Sequence, residues 1–183
     1  MALLSTPVCN FGSKIKNFKL LNIDNEKYDL NSLAGEKGSL IMFICNHCPY
    51  VKAIIKKLVL TTQELKKNGI NSIAIMPNDF IKYPEDNFDN MKIFAKENRF
   101  NFPYLIDESQ NVAKNFGAVC TPDFFGYNQE GKLNYRGRIG EMNNLQFVNE
   151  KNELLEAMIM ISTKNKGPEI QYPSAGCSIK WKN

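Results

Sequence analysis

The feature that most constrains the fold is an unbroken apolar stretch at residues 39–44, which leads directly into a helical pattern. An apolar run of this length predicts a strand that is buried on both faces, as in the middle of a parallel sheet. From Val51 to Leu65, apolar residues recur three or four positions apart, which is the spacing of an amphipathic helix. Pro49 suits the first turn of that helix, and Gly69 suits its end. The sequence therefore predicts a buried strand joined to a long helix.

The rest of the chain repeats this alternation of strands and helices. The other predicted elements are a hairpin within 15–30, a strand at 70–76, a surface loop at 80–86, a helix at 87–98, a strand at 102–106, a helix at 108–116, a hairpin at 123–139 and a last helix capped by Asn149. This order predicts an α/β fold with right-handed crossovers and one antiparallel edge. We expect one folded domain at residues 15–166, an N-terminal arm at 1–14 and a C-terminal tail at 167–183.

Composition excludes several classes of protein. With 43% hydrophobic and 23% charged residues in 183, the chain has the apolar content of a folded domain and not of a disordered one. The net charge of +4 comes without a block of Lys and Arg, so binding to nucleic acid has no support. No segment approaches the ~18 apolar residues of a membrane span or the ~7–15 of a signal peptide. We therefore expect no membrane association and a cytoplasmic, reducing compartment, where closely spaced cysteines are more often catalytic or metal-binding than structural.

The cysteines point to the chemistry. Cys45 and Cys48 enclose the chain's one histidine, His47, in a Cys-Asn-His-Cys run at the predicted strand-to-helix junction. Backbone N–H groups and the helix dipole favour a thiolate at a helix N-terminus, where we expect Cys45. We predict that Cys45 is the nucleophile, that Cys48 resolves the mixed disulfide, and that His47 stabilises the Cys45 thiolate.

Two other interpretations of these cysteines stay open. They could be inert and buried on a helix face. They could also hold a metal ion or an iron–sulfur cluster, with His47 and a fourth ligand such as Cys120 or Cys177. The strand-to-helix context favours a redox pair over both, and a redox pair needs no organic cofactor and no metal.

Residues 15–163 resemble the thioredoxin superfamily, in the redoxin and peroxiredoxin-like branch related to alkyl hydroperoxide reductase and thiol-specific antioxidant proteins. The motifs that carry the resemblance lie at residues 43–51, 102–107, 120–125, 131–133 and 136–138, with a further likeness at 173–181. The resemblance implies a thioredoxin fold, a central mixed β-sheet flanked by helices, with an N-terminal β-hairpin extension. It also implies a cis peptide bond between Thr121 and Pro122, which would face the substrate beside Cys45. Cys120, directly before this pair, is our candidate for an auxiliary thiol.

By this resemblance the chain is a thiol–disulfide oxidoreductase acting on protein or small-molecule thiol and disulfide substrates, with thioredoxin or glutathione as candidate reductants. The alternatives are a thiol-dependent peroxidase and a metal-binding or redox-sensor module without turnover. Peroxidase chemistry is less favoured, because aligning Cys48 with the peroxidatic cysteine puts Cys45 and Ile41 where a hydroxyl residue and a proline belong. In the same alignment Thr121 falls near the place of the arginine that partners the peroxidatic cysteine. We expect Arg136 and Arg138 to be solvated. Cys9 and Cys177 have no assigned role. Cys177, in a mobile tail, could pair with Cys120, with Cys9 or with another subunit, and we favour a free thiol.

Overall fold

The computed structural model describes residues 3–7 and 9–182. The strands of these residues are β1 (Leu3–Ser5), β2 (Lys19–Asn22), β3 (Lys27–Asp29), β4 (Gly38–Phe43), β5 (Ile70–Met76), β6 (Tyr104–Ile106), β7 (Cys120–Thr121), β8 (Asp123–Asn128), β9 (Leu133–Tyr135), β10 (Met142–Asn143), β11 (Gln146–Phe147) and β12 (Ala175–Ser178). The helices are α1 (Leu30–Leu33), α2 (Pro49–Lys67), α3 (Phe88–Glu97), α4 (Asn111–Phe116) and α5 (Glu153–Lys164), with a 3-10 turn at Pro84–Asp86. None of these helices combines the length and the apolar character that a bilayer span requires.

The centre of the fold is a seven-stranded mixed sheet in the order β3-β2-β6-β5-β4-β8-β9. Strands β4, β5 and β6 are parallel, and the pairings outside them are antiparallel. Helices α2 and α3 make the two crossovers between the parallel strands. The predicted mixed sheet flanked by helices is confirmed, with the front hairpin at one edge and the late hairpin at the other.

Strand β4 divides two hydrophobic cores. Successive side chains of a strand point to opposite faces. Leu40 and Met42 lie in the core formed with α2, α3 and α5. Ile41 and Phe43 lie in the core formed with α1 and α4. Every residue of β4 is buried, which is why this segment of the sequence shows no polar alternation.

Two local predictions are wrong at the end of the chain. The last helix is capped by Asn152 and not by Asn149, because Asn152 accepts a hydrogen bond from the Leu155 amide at 3.0 Å. The expected mobile tail contains β12, which is the middle strand of a second sheet in the order β1-β12-β7. In this sheet Cys177 lies opposite both Leu3 and Thr121. Backbone pairing on both sides therefore orders the segment.

Gly176 is what allows β12 to approach so closely. A Cβ atom at this position would overlap the carbonyl oxygen of Thr121 and crowd the nitrogen of Pro122. Only glycine fits this contact without moving the strand.

Candidate active site

The Cys-Asn-His-Cys run forms the connection between β4 and α2. The helix begins at Pro49, and the Cys48 carbonyl accepts a hydrogen bond from the Lys52 amide at 3.0 Å. Cys48 is therefore the N-cap residue, and the prediction that Cys45 lies at the helix N-terminus is wrong. The chain uses the intervening residues to turn from the strand before Pro49 starts the helix.

Thr121 contacts both sulfurs. The Sγ of Cys45 lies 3.3 Å from the Oγ1 of Thr121, and the Sγ of Cys48 lies 3.1 Å from the Thr121 carbonyl oxygen. The peptide bond between Thr121 and Pro122 is cis. The next residue, Asp123, pairs with Phe43 at the end of β4, and this register holds Thr121 against the cysteines. Both cysteines are fully buried.

The two thiols differ in acidity. Burial raises the pKa of Cys45, and a hydrogen bond with Cys48 and the charge of Asp86 raise it further. The pKa of Cys48 is lowered, chiefly because the Cys45 thiol donates a hydrogen bond to its sulfur. The backbone N–H of Val51, in the first turn of α2, also stabilises the Cys48 thiolate.

One neighbour opposes this charge. The Thr121 carbonyl oxygen can only accept a hydrogen bond, so it favours Cys48 in the thiol form. The groups that stabilise the Cys48 thiolate, which include the Cys45 thiol and the Val51 N–H, outnumber this single acceptor. These shifts favour a thiolate at Cys48 over one at Cys45, whereas the sequence predicts the reverse.

Asp86 holds His47 in place, and sequence reasoning missed it. The Oδ2 of Asp86 lies 2.6 Å from the Nδ1 of His47, and its Oδ1 accepts the backbone N–H groups of Asn46 at 2.8 Å and of His47 at 3.2 Å. Asp86 is fully buried, so the prediction of a surface loop fails at this residue. The hydrogen bond to this carboxylate raises the pKa of His47.

This carboxylate changes the expected role of His47. The charge of Asp86 raises the pKa of Cys45, and the charge of Cys48 raises the pKa of His47. A protonated His47 therefore favours a thiolate at Cys48. Lying 39 residues beyond His47 among other polar residues, Asp86 carries no distinguishing signal in the sequence.

Further hydrogen bonds extend this network. Asn78 donates to the Oδ2 of Asp86 at 2.8 Å and accepts from the Lys180 amide at 2.9 Å. The Tyr104 hydroxyl donates to the Oδ1 of Asn46 at 2.9 Å. Each of these polar groups is satisfied inside the protein, as a rigid buried network requires. The network therefore joins the cysteine motif to the C-terminal segment.

The structure separates the two other candidate thiols. Cys177 lies in the same hydrophobic cluster as Cys45 and Cys48, and its presence helps to lower the pKa of Cys48. Cys120 lies opposite Ser178, one position further along the ladder, and its Sγ contacts the Pro122 carbonyl at 3.5 Å. Its role as an auxiliary thiol stays a prediction, and the described contacts do not join it to the pair.

Both hairpin arginines are ion-paired; Arg136 is buried, whereas Arg138 is partly exposed to solvent. Arg136 donates to Asp123 at 2.9 Å, with side-chain exposures of 4% and 0%. Arg138 donates to Glu153 at 2.9 Å. Within residues 3–7 and 9–182, no arginine forms a hydrogen bond with Cys45 or Cys48. The site thus lacks the thiolate–arginine contact that the peroxidase alternative calls for.

Three groups in the site have the chemistry of metal ligands. The Sγ of Cys45, a ring nitrogen of His47 and a carboxylate oxygen of Asp86 all lie within 4.8 Å of one another. Zinc accepts sulfur, nitrogen and oxygen ligands of these types. The metal hypothesis therefore gains Asp86 as a ligand in place of Cys120 or Cys177, and it stays untested.

These observations define a class of protein. A mixed sheet flanked by helices, with a Cys-x-x-Cys run between a strand and a helix and a cis proline against it, is a thioredoxin fold. The chain superposes with a TM-score of 0.60 on the thioredoxin domain of a thiol-disulfide oxidoreductase from Bacteroides vulgatus, at 17% identity over 70% of this chain and 89% of that one. The predicted fold class is confirmed.

Sequence comparison then gives the family. The profile of the AhpC/TSA family matches residues 11–136, and the chain belongs to this family. An uncharacterized conserved protein from Geobacillus kaustophilus is 37% identical, with a TM-score of 0.94 over 100% of this chain and 97% of that one. The thiol-disulfide oxidoreductase ResA of Bacillus thuringiensis subsp. konkukian (strain 97-27) is 25% identical over 130 residues, which are 67% of this chain and 66% of ResA.

Proposed function

We propose that this chain is a thiol–disulfide oxidoreductase whose redox pair is Cys45 and Cys48. The observation that carries the proposal is the contact of both sulfurs with Thr121, at 3.3 Å and 3.1 Å. Both thiols of the Cys-x-x-Cys run thus contact the same residue, where the pair would close into a disulfide and its thiolate would attack a substrate disulfide. The likeness to ResA supports the same activity.

The order of attack follows from the acidities. The Cys48 thiolate attacks one sulfur of a substrate disulfide, so a mixed disulfide forms and the first substrate thiolate leaves. The departing substrate thiolate takes the proton of the Cys45 thiol, which leaves Cys45 as a thiolate. The Cys45 thiolate then attacks the Cys48 sulfur, the pair closes into a disulfide, and the second substrate thiolate leaves. This order reverses the one predicted from the sequence.

His47 stabilises the negative charge on sulfur in both steps. Its ring is held by Asp86 at 2.6 Å and stacks on Tyr83, with the ring centroids 5.7 Å apart. In the protonated form it stabilises the Cys48 thiolate before attack. The same cation can neutralise a departing thiolate.

A cleft beside Pro122 is the proposed substrate site. It has a volume of about 130 Å³ and is lined mainly by apolar side chains, which include Tyr50, Ile54, Phe124, Ile139 and Met142. Such a cleft fits an apolar side chain of a protein substrate. Because both cysteines are fully buried, substrates reach the sulfurs only after a local opening. In the cytoplasm, our proposed location, thioredoxin or glutathione would return the electrons.

The test is trapping of the mixed disulfide. We remove Cys177 in every variant, because it lies in the same buried cluster as Cys48 and a third thiol there would obscure the result. With glutathione disulfide as the probe, the Cys45→Ser/Cys177→Ser variant should hold one glutathione on Cys48. The matched Cys48→Ser/Cys177→Ser variant should react at least tenfold more slowly, since the remaining Cys45 has a raised pKa.

Two outcomes would correct this proposal. Glutathione on Cys45, with Cys48 unreactive, would restore the order of attack predicted from the sequence. No adduct on either cysteine, and no internal disulfide in the wild type, would refute the oxidoreductase activity.

A thiol-dependent peroxidase is the second candidate. The observation that favours it is the place of Cys48 as N-cap of α2, with a lowered pKa, in a member of the AhpC/TSA family. Consumption of hydroperoxide at catalytic rates with a thiol donor, abolished in Cys48→Ser, would establish it. Substoichiometric consumption would rule it out.

A further inference from the structure

Cys177 lies where a third redox thiol could reach the pair. In an antiparallel ladder, residues directly opposite one another place their side chains on the same face. Cys177 lies opposite Thr121, whose Oγ1 contacts Cys45. The side chain of Cys177 therefore points toward the cysteine pair, and it lies in the buried cluster that contains Cys45 and Cys48.

The same register turns Cys120 away. Its partner in the ladder is Ser178, one residue beyond Cys177, and successive side chains alternate between the faces of a sheet. The contact of Cys120 is with the carbonyl of Pro122 and not with a sulfur. Two buried cysteines thus lie on adjacent strands, and the register selects only Cys177.

The C-terminal segment is held firmly enough to present this thiol. Ser174 donates from its hydroxyl to the Pro122 carbonyl at 2.9 Å, and its carbonyl accepts the Thr6 amide at 2.9 Å. Beyond Cys177, the Lys180 amide donates to Asn78 at 2.9 Å. These bonds anchor both ends of β12 around the active site.

We propose that Cys177 is a second resolving cysteine, which competes with Cys45 for Cys48 and yields a Cys48–Cys177 disulfide. This inference rests on the proposed oxidoreductase function and deepens it. In the step, the Cys177 sulfur attacks the Cys48 sulfur of the Cys45–Cys48 disulfide. The Cys48–Cys177 bond forms as the Cys45–Cys48 bond breaks, and Cys45 leaves and receives the proton that Cys177 loses. When Cys45 is present, the exchange is internal, so no further oxidant is needed. In a chain without Cys45, the Cys177 sulfur attacks the Cys48 sulfur of the mixed disulfide, and the substrate thiolate leaves with the proton that Cys177 loses.

Tryptic peptides distinguish the two disulfides. Cleavage after lysine puts Cys45 and Cys48 together in peptide 38–52, Cys177 in peptide 167–180 and Cys120 in peptide 115–132. A Cys45–Cys48 bond stays within one peptide, whereas a Cys48–Cys177 bond joins two. The wild type and the Cys45→Ser, Cys177→Ser and Cys120→Ser variants are oxidised with glutathione disulfide. The monomer fraction is then alkylated, digested without reductant and analysed by mass spectrometry.

We expect peptide 38–52 joined to peptide 167–180 in part of the oxidised wild type and in most of the Cys45→Ser chains. The Cys120→Ser variant should match the wild type, and Cys177→Ser should show only the bond within 38–52. The wild-type result needs no substitution, so a variant that fails to fold does not remove the test.

The inference is overturned if the joined peptides are absent from both the wild type and Cys45→Ser. It is also overturned if peptide 38–52 joins 115–132 as readily as 167–180. In either case an internal bond in Cys177→Ser would leave the proposed function standing. Absence of that bond as well would count against the proposed function itself.

Discussion

The ion pair between His47 and Asp86 gives a prediction that a stability measurement can check. In Asp86→Asn, the Oδ1 that remains can still accept the backbone N–H groups of Asn46 and His47. The Oδ2 becomes an amide nitrogen, which faces the ring nitrogen of His47 and the amide of Asn78 without accepting from either. The substitution therefore removes the charge and keeps the volume.

The size of the effect depends on pH. Removing one partner of a buried ion pair costs about 3–5 kcal/mol, and we expect about 3 kcal/mol at about pH 5.5, because the His47 side chain keeps 13% exposure to solvent. The partner raises the pKa of His47 above its unfolded value of about 6.5. The ion-pair contribution is thus complete below that value and is lost as the pH rises through the folded pKa. At about pH 9 we expect a loss of about 1.5 kcal/mol, from the hydrogen bonds to the carboxylate alone.

The assay is urea unfolding at both pH values, with Asp89→Asn as the matched control on an exposed carboxylate three residues away. The control should lose less than about 0.5 kcal/mol at either pH. His47 is the chain's one histidine, so its imidazole proton gives a single NMR titration that reports its pKa directly. A His47 pKa that Asp86→Asn fails to lower, or a stability loss that does not shrink with rising pH, would refute the ion pair.

Three further predictions concern the rest of the molecule. Arg136→Met should lower the free energy of unfolding in urea by about 3–5 kcal/mol, because it leaves the carboxylate of Asp123 buried and unpaired. Arg138→Met, on a side chain that is 25% exposed, should lower it by about 1 kcal/mol. Equal losses in the two variants would contradict this prediction. Gly176→Ala should reduce the yield of the Cys48–Cys177 disulfide severalfold, because the added methyl group pushes β12 away from Thr121. Ala175→Ser, at the exposed neighbouring position, should leave the yield unchanged. An unchanged yield in Gly176→Ala would show that the close strand contact is dispensable. Freshly purified protein should contain substoichiometric metal, and stoichiometric zinc that is lost in Cys45→Ser would favour the metal-binding hypothesis over the redox one.

Local patterns predicted the framework of the site. The β4–α2 unit is confirmed at both ends of the helix, because burial, periodicity, a first-turn proline and a terminal glycine all act within a few residues. The cis peptide before Pro122, implied by the resemblance, is also present. The order of elements along the chain and the placement of the motif follow from signals that the chain carries locally.

What the sequence did not predict depends on contacts between distant segments. Asp86 reaches His47 through a 3-10 turn that brings one carboxylate inward from a polar stretch. Cys177 reaches Cys48 only because β12 pairs with a two-residue strand, too short for any pattern of alternation. The sequence predicts the thiolate at Cys45 because it places that residue at the helix N-terminus. In the structure the helix begins at Pro49, so the N-cap is Cys48, three residues later.

The most direct test of the central claim is a redox titration of peptide 38–52. The protein is equilibrated over a series of reduced and oxidised glutathione buffers, its free thiols are alkylated, and the peptide mass is measured in the wild type and in Cys177→Ser. We predict a reversible two-electron transition in Cys177→Ser that is lost when either Cys45 or Cys48 is also replaced by serine. A peptide that stays fully alkylated at every potential would contradict the assignment of Cys45 and Cys48 as a redox pair.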